Sequence, residues 1–180
     1  WELNYPESGQ TVLKSAPIGS AAEVEIPAEI TDDSGNTYIV TEIGRGAFAV
    51  TLDNGAASNS SENRNNVLKS VVVPYTVTKI DEKAFYFCVE LERITVNSSN
   101  LTIDTGAFNT YASGYGKSKV PTIVDLSAVN SLTDTGTSNG VGVSYIIGKA
   151  EMLDVLNKCV AGTKAELAGD ESCSWVRGQG

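Results

Sequence analysis

The stretch Leu68-Lys69-Ser70-Val71-Val72-Val73-Pro74-Tyr75-Thr76-Val77-Thr78-Lys79-Ile80-Asp81-Glu82-Lys83-Ala84-Phe85 decides the fold, because the chain then says nearly the same thing again. Leu91, Ile94, Val96, Leu101, Ile103, Ala107 and Phe108 follow the same pattern. Val73 to Val96, Ile80 to Ile103 and Phe85 to Phe108 are each 23 residues apart. A fixed period of that size marks a solenoid, in which one short unit stacks on the next.

The turn at the end of the unit occurs three times. Ile43-Gly44-Arg45-Gly46-Ala47-Phe48 matches Ile80 to Phe85 and Ile103 to Phe108. Ile ends a strand pointing into the core. Gly or Asp suits the turn that follows. Ala is small where the next coil comes close. Phe fills the wide side of the coil, so Phe48, Phe85 and Phe108 are expected to form an aromatic ladder. Cys88 sits on the same apolar coil and reads as a buried structural thiol.

Outward from this array the chain divides as follows. Trp1 to about Lys14 reads as a hairpin, with Trp1, Leu3 and Tyr5 on one side and turn residues at Pro6–Gly9. It suits the open apolar end of a first repeat. Val24–Pro27 is the first repeat strand, with Val24 and Ile26 inward and Glu25 outward. Asp32–Asn36 reads as a hairpin turn; it lacks the further ligands of an EF-hand calcium loop. Phe48 and Phe85 are 37 residues apart, 14 more than the repeat, so residues 51–66, polar and aperiodic, form an insertion. A second insertion covers 110–119. Ile123–Ser127 is a fourth strand, 133–142 a polar loop, and Val143–Ile147 a fifth strand. Met152, Val155, Leu156, Cys159 and Val160 fall at helical spacing, which predicts a helix from about Lys149 to Cys159. Ser172–Val176 adds a last strand. The whole is expected to be one domain, 1–180: a cap at 1–21, repeats at 22–148 and a C-terminal cap at 149–180.

The stretch Leu68 to Leu91 resembles the BspA-type, or treponemal, leucine-rich repeat, whose unit reads L-x-x-I-x-I-P-x-x-V-x-x-I-G-x-x-A-F-x-x-C. Pro27, Pro74 and Cys88 stand at its Pro and Cys positions. Asp81 and Asp104 replace its Gly, Asn97 replaces its Pro, and the fourth copy lacks Ala-Phe. The resemblance covers about 22–132. It implies a mainly β, short right-handed leucine-rich-repeat solenoid. It also implies export to a bacterial cell surface or secretion, and a role in adhesion or protein binding. It carries no catalytic residues to transfer.

Charge and composition narrow the function. The net charge of −9 and pI near 4.5 repel phosphate backbones and anionic lipid, so nucleic acid is not an expected partner. No apolar run reaches the roughly 18 residues that span a bilayer, so this segment is not expected to insert in a membrane. The chain begins at Trp1, so the lack of a signal peptide says nothing about export. It has no histidine, the commonest general base and metal ligand. No nucleophile elbow, phosphate loop or zinc motif is present. Cofactors and metals are therefore not expected, and the chain is read as non-catalytic. Asp32-Asp33, Asp81-Glu82 and Asp170-Glu171 could in principle hydrolyse glycosides, but all sit in turn-like contexts.

For binding, strand alternation predicts an outward row of Glu25, Val72, Thr95 and Asp125, with Arg93 beside it and Tyr75 at its flank. Glu42, Lys79 and Thr102 form a second outward row. Tyr111 and Tyr115, in a loop with Gly and Ser, are the other candidates. Cys159 and Cys173 could pair in an oxidising compartment, worth about 3 kcal/mol in the chain-entropy picture. The first functional reading is a binding module for a protein or glycan. The alternatives are a structural spacer of a longer surface protein and a carbohydrate-acting enzyme using paired carboxylates.

Overall fold

The structure, a computed structural model, describes residues 1–5, 8–15, 21–50, 64–110, 122–136, 145–156, 159–162 and 173–178. The protein is mainly β. Its described strands are β1 (Glu2–Asn4), β2 (Gln10–Ser15), β3 (Glu23–Glu25), β4 (Glu29–Thr31), β5 (Thr37–Ile43), β6 (Ser70–Val73), β7 (Lys79–Ile80), β8 (Arg93–Val96), β9 (Asn100–Ile103), β10 (Ile123–Asp125), β11 (Ser131–Asp134), β12 (Tyr145–Gly148), β13 (Cys159–Gly162) and β14 (Ser174–Gly178). One short helix, α1 (Ala150–Leu153), follows β12.

Each repeat sends one strand to each of two sheets. In the first sheet β3, β6, β8, β10 and β12 pair in parallel, and β14 and β13 continue it antiparallel. In the second, β5, β7, β9 and β11 pair in parallel. The β1–β2 hairpin joins that sheet at β5, and β4 folds antiparallel onto β5.

The register explains why the apolar period stays constant. Val24, Val71, Ile94, Val124 and Ile146 are successive partners in the first sheet. Leu13, Ile43, Ile80 and Ile103 are successive partners in the second. A slip of one residue would turn either column out of the core. The three Phe rings, on the turns after β5, β7 and β9, join the same buried core. Phe48 and Phe85 stack with centroids 5.0 Å apart, and Phe85 and Phe108 with centroids 6.3 Å apart. All three are buried, as are Ala47, Ala84 and Ala107.

The turns also stack. Phe48 N–H donates to Ala84 O at 2.9 Å, and Phe85 N–H to Ala107 O at 3.2 Å. The residue before each Ala is left-handed: Gly46 at φ 64°, Lys83 at φ 53° and Gly106 at φ 65°. The sequence reading treats this position as unconstrained, yet two of its three residues are glycine because an L side chain is strained there. Lys83 accepts that strain.

Three sequence expectations change. Asn65, placed in the first insertion, belongs to the array. It bridges Cys88, 23 residues later, and its side chain accepts from Leu68 N–H at 3.0 Å and Val67 N–H at 3.3 Å. The polar loop expected at 133–142 begins inside a strand. β11 lies in register on β9, with Leu132 over Leu101. Polar side chains on its other positions hide the alternation. The helix expected over 149–159 is only Ala150–Leu153. Met152, Leu153 and Leu156 are buried, whereas Val155 is exposed and Cys159 starts a strand. The edge of β14 offers backbone partners that a longer helix would forgo.

Candidate functional site

The outward face of the first sheet is built by strand alternation. Glu25, Val72, Thr95 and Asp125 are successive register partners. At roughly 4.8 Å per strand step the row spans about 14 Å. The neighbouring row is Ser70, Arg93, Ile123 and Tyr145. The Arg93 guanidinium pairs diagonally with the Asp125 carboxylate across β8 and β10. Both are partly solvated, so the pair contributes at most about 1 kcal/mol. Farther along, the Arg177 guanidinium lies 5.8 Å from the Tyr145 ring centre.

The chain turns sharply after β3, β6 and β8, at Pro27, Pro74 and Asn97. Asn97 keeps an N–H that proline lacks, and donates it to Val73 O at 3.0 Å. An open groove of about 410 Å³ lies at these corners, lined by Glu25, Ile26, Pro27, Val72, Pro74 and Tyr75 among others. Tyr75 is 70% exposed. The groove brings Glu25, Val72 and Tyr75 together. Arg93, Thr95 and Asp125 lie farther along the sheet. Tyr111 and Tyr115 lie outside the described residues.

The second sheet also carries its outward row: Glu42, Lys79 and Thr102 are in register. Lys79 Nζ lies 3.2 Å from Glu42 and 3.5 Å from Asp81. Burial pulls the Lys79 ammonium down, but hydrogen bonds and charges from Glu42 and Asp81 hold it above the ordinary lysine value. Burial holds Glu42 above the usual carboxylate value, against the pull of Lys79. A cleft of about 420 Å³ adjoins this cluster, lined in part by Lys14, Glu42, Arg45 and Asp81. Its two cations pair with carboxylates outside the lining: Arg45 with Glu82 at 3.0 Å and Lys14 with Glu2 at 2.7 Å.

The adjacent carboxylates are engaged in turns. Asp32 accepts from Ser34 N–H and Asn36 N–H, both at 2.9 Å, from Asn36 Nδ2 at 3.1 Å and from the Tyr38 hydroxyl at 3.2 Å. Asp81 and Glu82 are held by Lys79 and by Arg45 and Lys83. Asp170 and Glu171 lie outside the described residues. Among the described residues no group of three or more acidic or thiol side chains could hold a metal, and no helix is long and apolar enough to cross a membrane.

Cys88 is fully buried, and burial pushes its thiol far above the ordinary value, so little thiolate forms. The hairpin register does not bring Cys159 and Cys173 together. Cys159 lies opposite Gly178, and Gly162 opposite Trp175. Cys159 is thus offset by five residues, about 17 Å, from Cys173, where a disulfide needs Cα atoms within about 7 Å. Three buried polar residues escape the sequence reading. Asn65 was detectable as the residue one period before Cys88. The Ser98 hydroxyl meets Pro74 O at 3.2 Å, and Thr122 Oγ1 donates to Leu91 O at 2.6 Å. These hydroxyls close corners and carry no periodic signal.

Residues 56–119 match the family model described as the BspA type leucine-rich repeat region. A leucine-rich repeat protein from Bacteroides capillosus superposes with a TM-score of 0.52 at 24% identity, over 80% of this chain and 91% of that one. This likeness shows the fold. A leucine-rich cell surface protein from Faecalibacterium prausnitzii A2-165 gives a TM-score of 0.44 at 18% identity, over 91% of this chain and 57% of that one. No curated protein matches the chain.

Proposed function

We propose that this chain, whose central repeats are of the BspA type, is a non-catalytic binding module of an exported or cell-surface protein. In this reading residues 1–180 form one domain, a short right-handed solenoid. The β1–β2 hairpin closes its first coil, and residues 149–180 close its last. The module presents the outward face of the first sheet to a protein or glycan. The observation that carries the reading is the in-register row Glu25, Val72, Thr95 and Asp125, which ends in a groove walled by Tyr75. A rigid parallel ladder holds these side chains in place at little further entropic cost on binding. Exposed tyrosine beside apolar corners suits contact with either partner class.

The test is a screen of immobilised host glycoproteins, matrix proteins and glycans with the wild-type chain, followed by Val72→Glu and Tyr75→Ala. Both variants are expected to keep the melting temperature and to weaken a genuine hit by about tenfold or more. Hits untouched by both variants would move the site off this face. The lack of any hit would favour the spacer reading. Glycan turnover that disappears on replacing one carboxylate would favour an enzyme.

A further inference from the structure

Among the described residues the β4–β5 hairpin leaves one strand edge unpaired. β4 pairs with β5 alone among the described strands. Val40 N–H donates to Ala28 O, and Asp32 N–H donates to Asn36 O, both at 2.9 Å. Residues 28 and 32 therefore turn their backbone groups towards β5, and Ile30, between them, does the same. By strand alternation Glu29 and Thr31 direct their N–H and C=O groups away from the sheet. This edge starts beside Ala28, which helps to line the groove at the Pro27 and Pro74 corners. Backbone donors and acceptors thus lead directly into an apolar corner beside an exposed tyrosine.

Charge indicates what suits this edge. From residue 21 to residue 44 the sequence holds Glu23, Glu25, Glu29, Asp32, Asp33 and Glu42, and neither lysine nor arginine. Glu42 is neutralised by Lys79, and Asp32 is satisfied by its own turn. Glu23, Glu25 and Glu29 are exposed and make no ion pair among the described residues. We infer that the β4 edge and the adjoining groove receive an extended, lysine- or arginine-rich protein segment, which adds to β4 as a further strand. The inference rests on the binding-module reading and narrows its partner to a basic polypeptide. The backbone of Glu29 and Thr31 supplies the hydrogen bonds. Glu25 and Glu29 meet alternate basic side chains, and an apolar side chain of the segment packs on Pro74 and Tyr75.

The probe is an acetylated octapeptide alternating lysine and valine, titrated into the full chain and followed by amide chemical shifts. Saturable binding is expected, with the amides of Glu29 and Thr31 shifting and gaining protection from exchange. The same peptide with glutamate for lysine, or with its backbone N-methylated at alternate positions, is expected to bind about tenfold weaker or less tightly still. Thr31→Pro removes one outward N–H, leaves the backbone bonds to β5 in place while losing the Thr31–Thr37 hydroxyl contact, and is expected to abolish binding at the melting temperature of Thr31→Val, which loses the same contact and keeps binding. If Thr31→Pro fails to fold, the N-methylated peptide tests the same bond on the intact protein. No saturable binding, equal binding of the glutamate peptide, or full binding by Thr31→Pro would overturn the inference. Should Val72→Glu abolish a screened partner that Thr31→Pro leaves bound, the sheet-face reading stands and the edge inference falls. Should only the lysine peptide bind, sensitive to Thr31→Pro but not to Val72→Glu, the edge stands and the sheet-face reading falls.

Discussion

Phe85 lies between two rings and is itself fully buried. Truncating it to alanine removes the stacking and leaves a cavity that a closely packed coil fills poorly. Phe85→Ala is expected to cost about 3–5 kcal/mol, read from denaturant midpoints at constant slope. A loss below about 1 kcal/mol would mean that the ladder contributes little. Gly106 tests a different cause at the same turn. Its φ of 65° is strained for any residue with a Cβ, although the nearest atom to such a Cβ, on Lys83, lies at an ordinary 3.5 Å. Gly106→Ala is therefore expected to cost about 1 kcal/mol through backbone strain alone. An unchanged stability would show that this turn is not left-handed in solution. At this scale the sequence was legible where residue type and chemistry coincide. Ala-Phe announces its packing, but Lys83 gives no sign of the left-handed turn it occupies.

Single elements show where periodicity stops being informative. β11 occupies the strand position of β9, yet Asp134 stands in register with Ile103, and the column of inward Ile residues ends there. The reading of a polar loop follows naturally from that substitution, because backbone pairing and one Leu-on-Leu contact leave almost no apolar pattern. The C-terminal segment errs in the opposite sense. Its apolar spacing fits a helix, but residues 159–162 pair antiparallel with β14 instead. Two aspartates make these elements testable by pH. Hydrogen bonds from Asn36, the largest influence on it, hold Asp32 below its ordinary value. Its contribution is present above the unfolded value of about 4 and is lost as pH falls through the folded value. Asp134 is held above its ordinary value by burial and by the charge of Asp104. Its ionised form opposes folding, and protonation relieves that opposition. Melting temperatures from pH 7 to pH 2 are expected to show Asp32→Asn below wild type, with the gap closing in acid. Asp134→Asn is expected above wild type at pH 7, with the gain fading as pH falls through the raised value. Parallel curves for wild type and both variants would contradict both assignments.

The mainly β character of the described residues was legible because the sequence repeats its requirements, so that each Ile-x-x-x-Ala-Phe unit reports on the next. The outward face of the first sheet was legible only as a list of outward residues. Which of them share a groove depends on corner geometry, and the unpaired edge of β4 depends on a hairpin that only one of the described repeats carries. Residues 50–63, of which 51–63 lie outside the described residues, connect the two kinds of information. Asn65 bridges Cys88, which lies three residues after Phe85. Joining Ala49 to Arg64, with residues 50–63 removed, would place Asn65 three residues after Phe48 and restore the period of 23. The joined residue 64 then matches Phe87, which has φ 58°, so the shortened chain should also carry Arg64→Gly. Loop-closure entropy changes only slowly with length, and no inward residue of the two strand columns is lost. The shortened protein is expected to unfold in one cooperative transition, with stability within about 1 kcal/mol of the full chain. It should also keep the solvent protection of the Val71, Ile94 and Ile103 amides. A broad transition, or lost protection confined to β5 and β6, would show that residues 50–63 hold the first two repeats together rather than interrupt them.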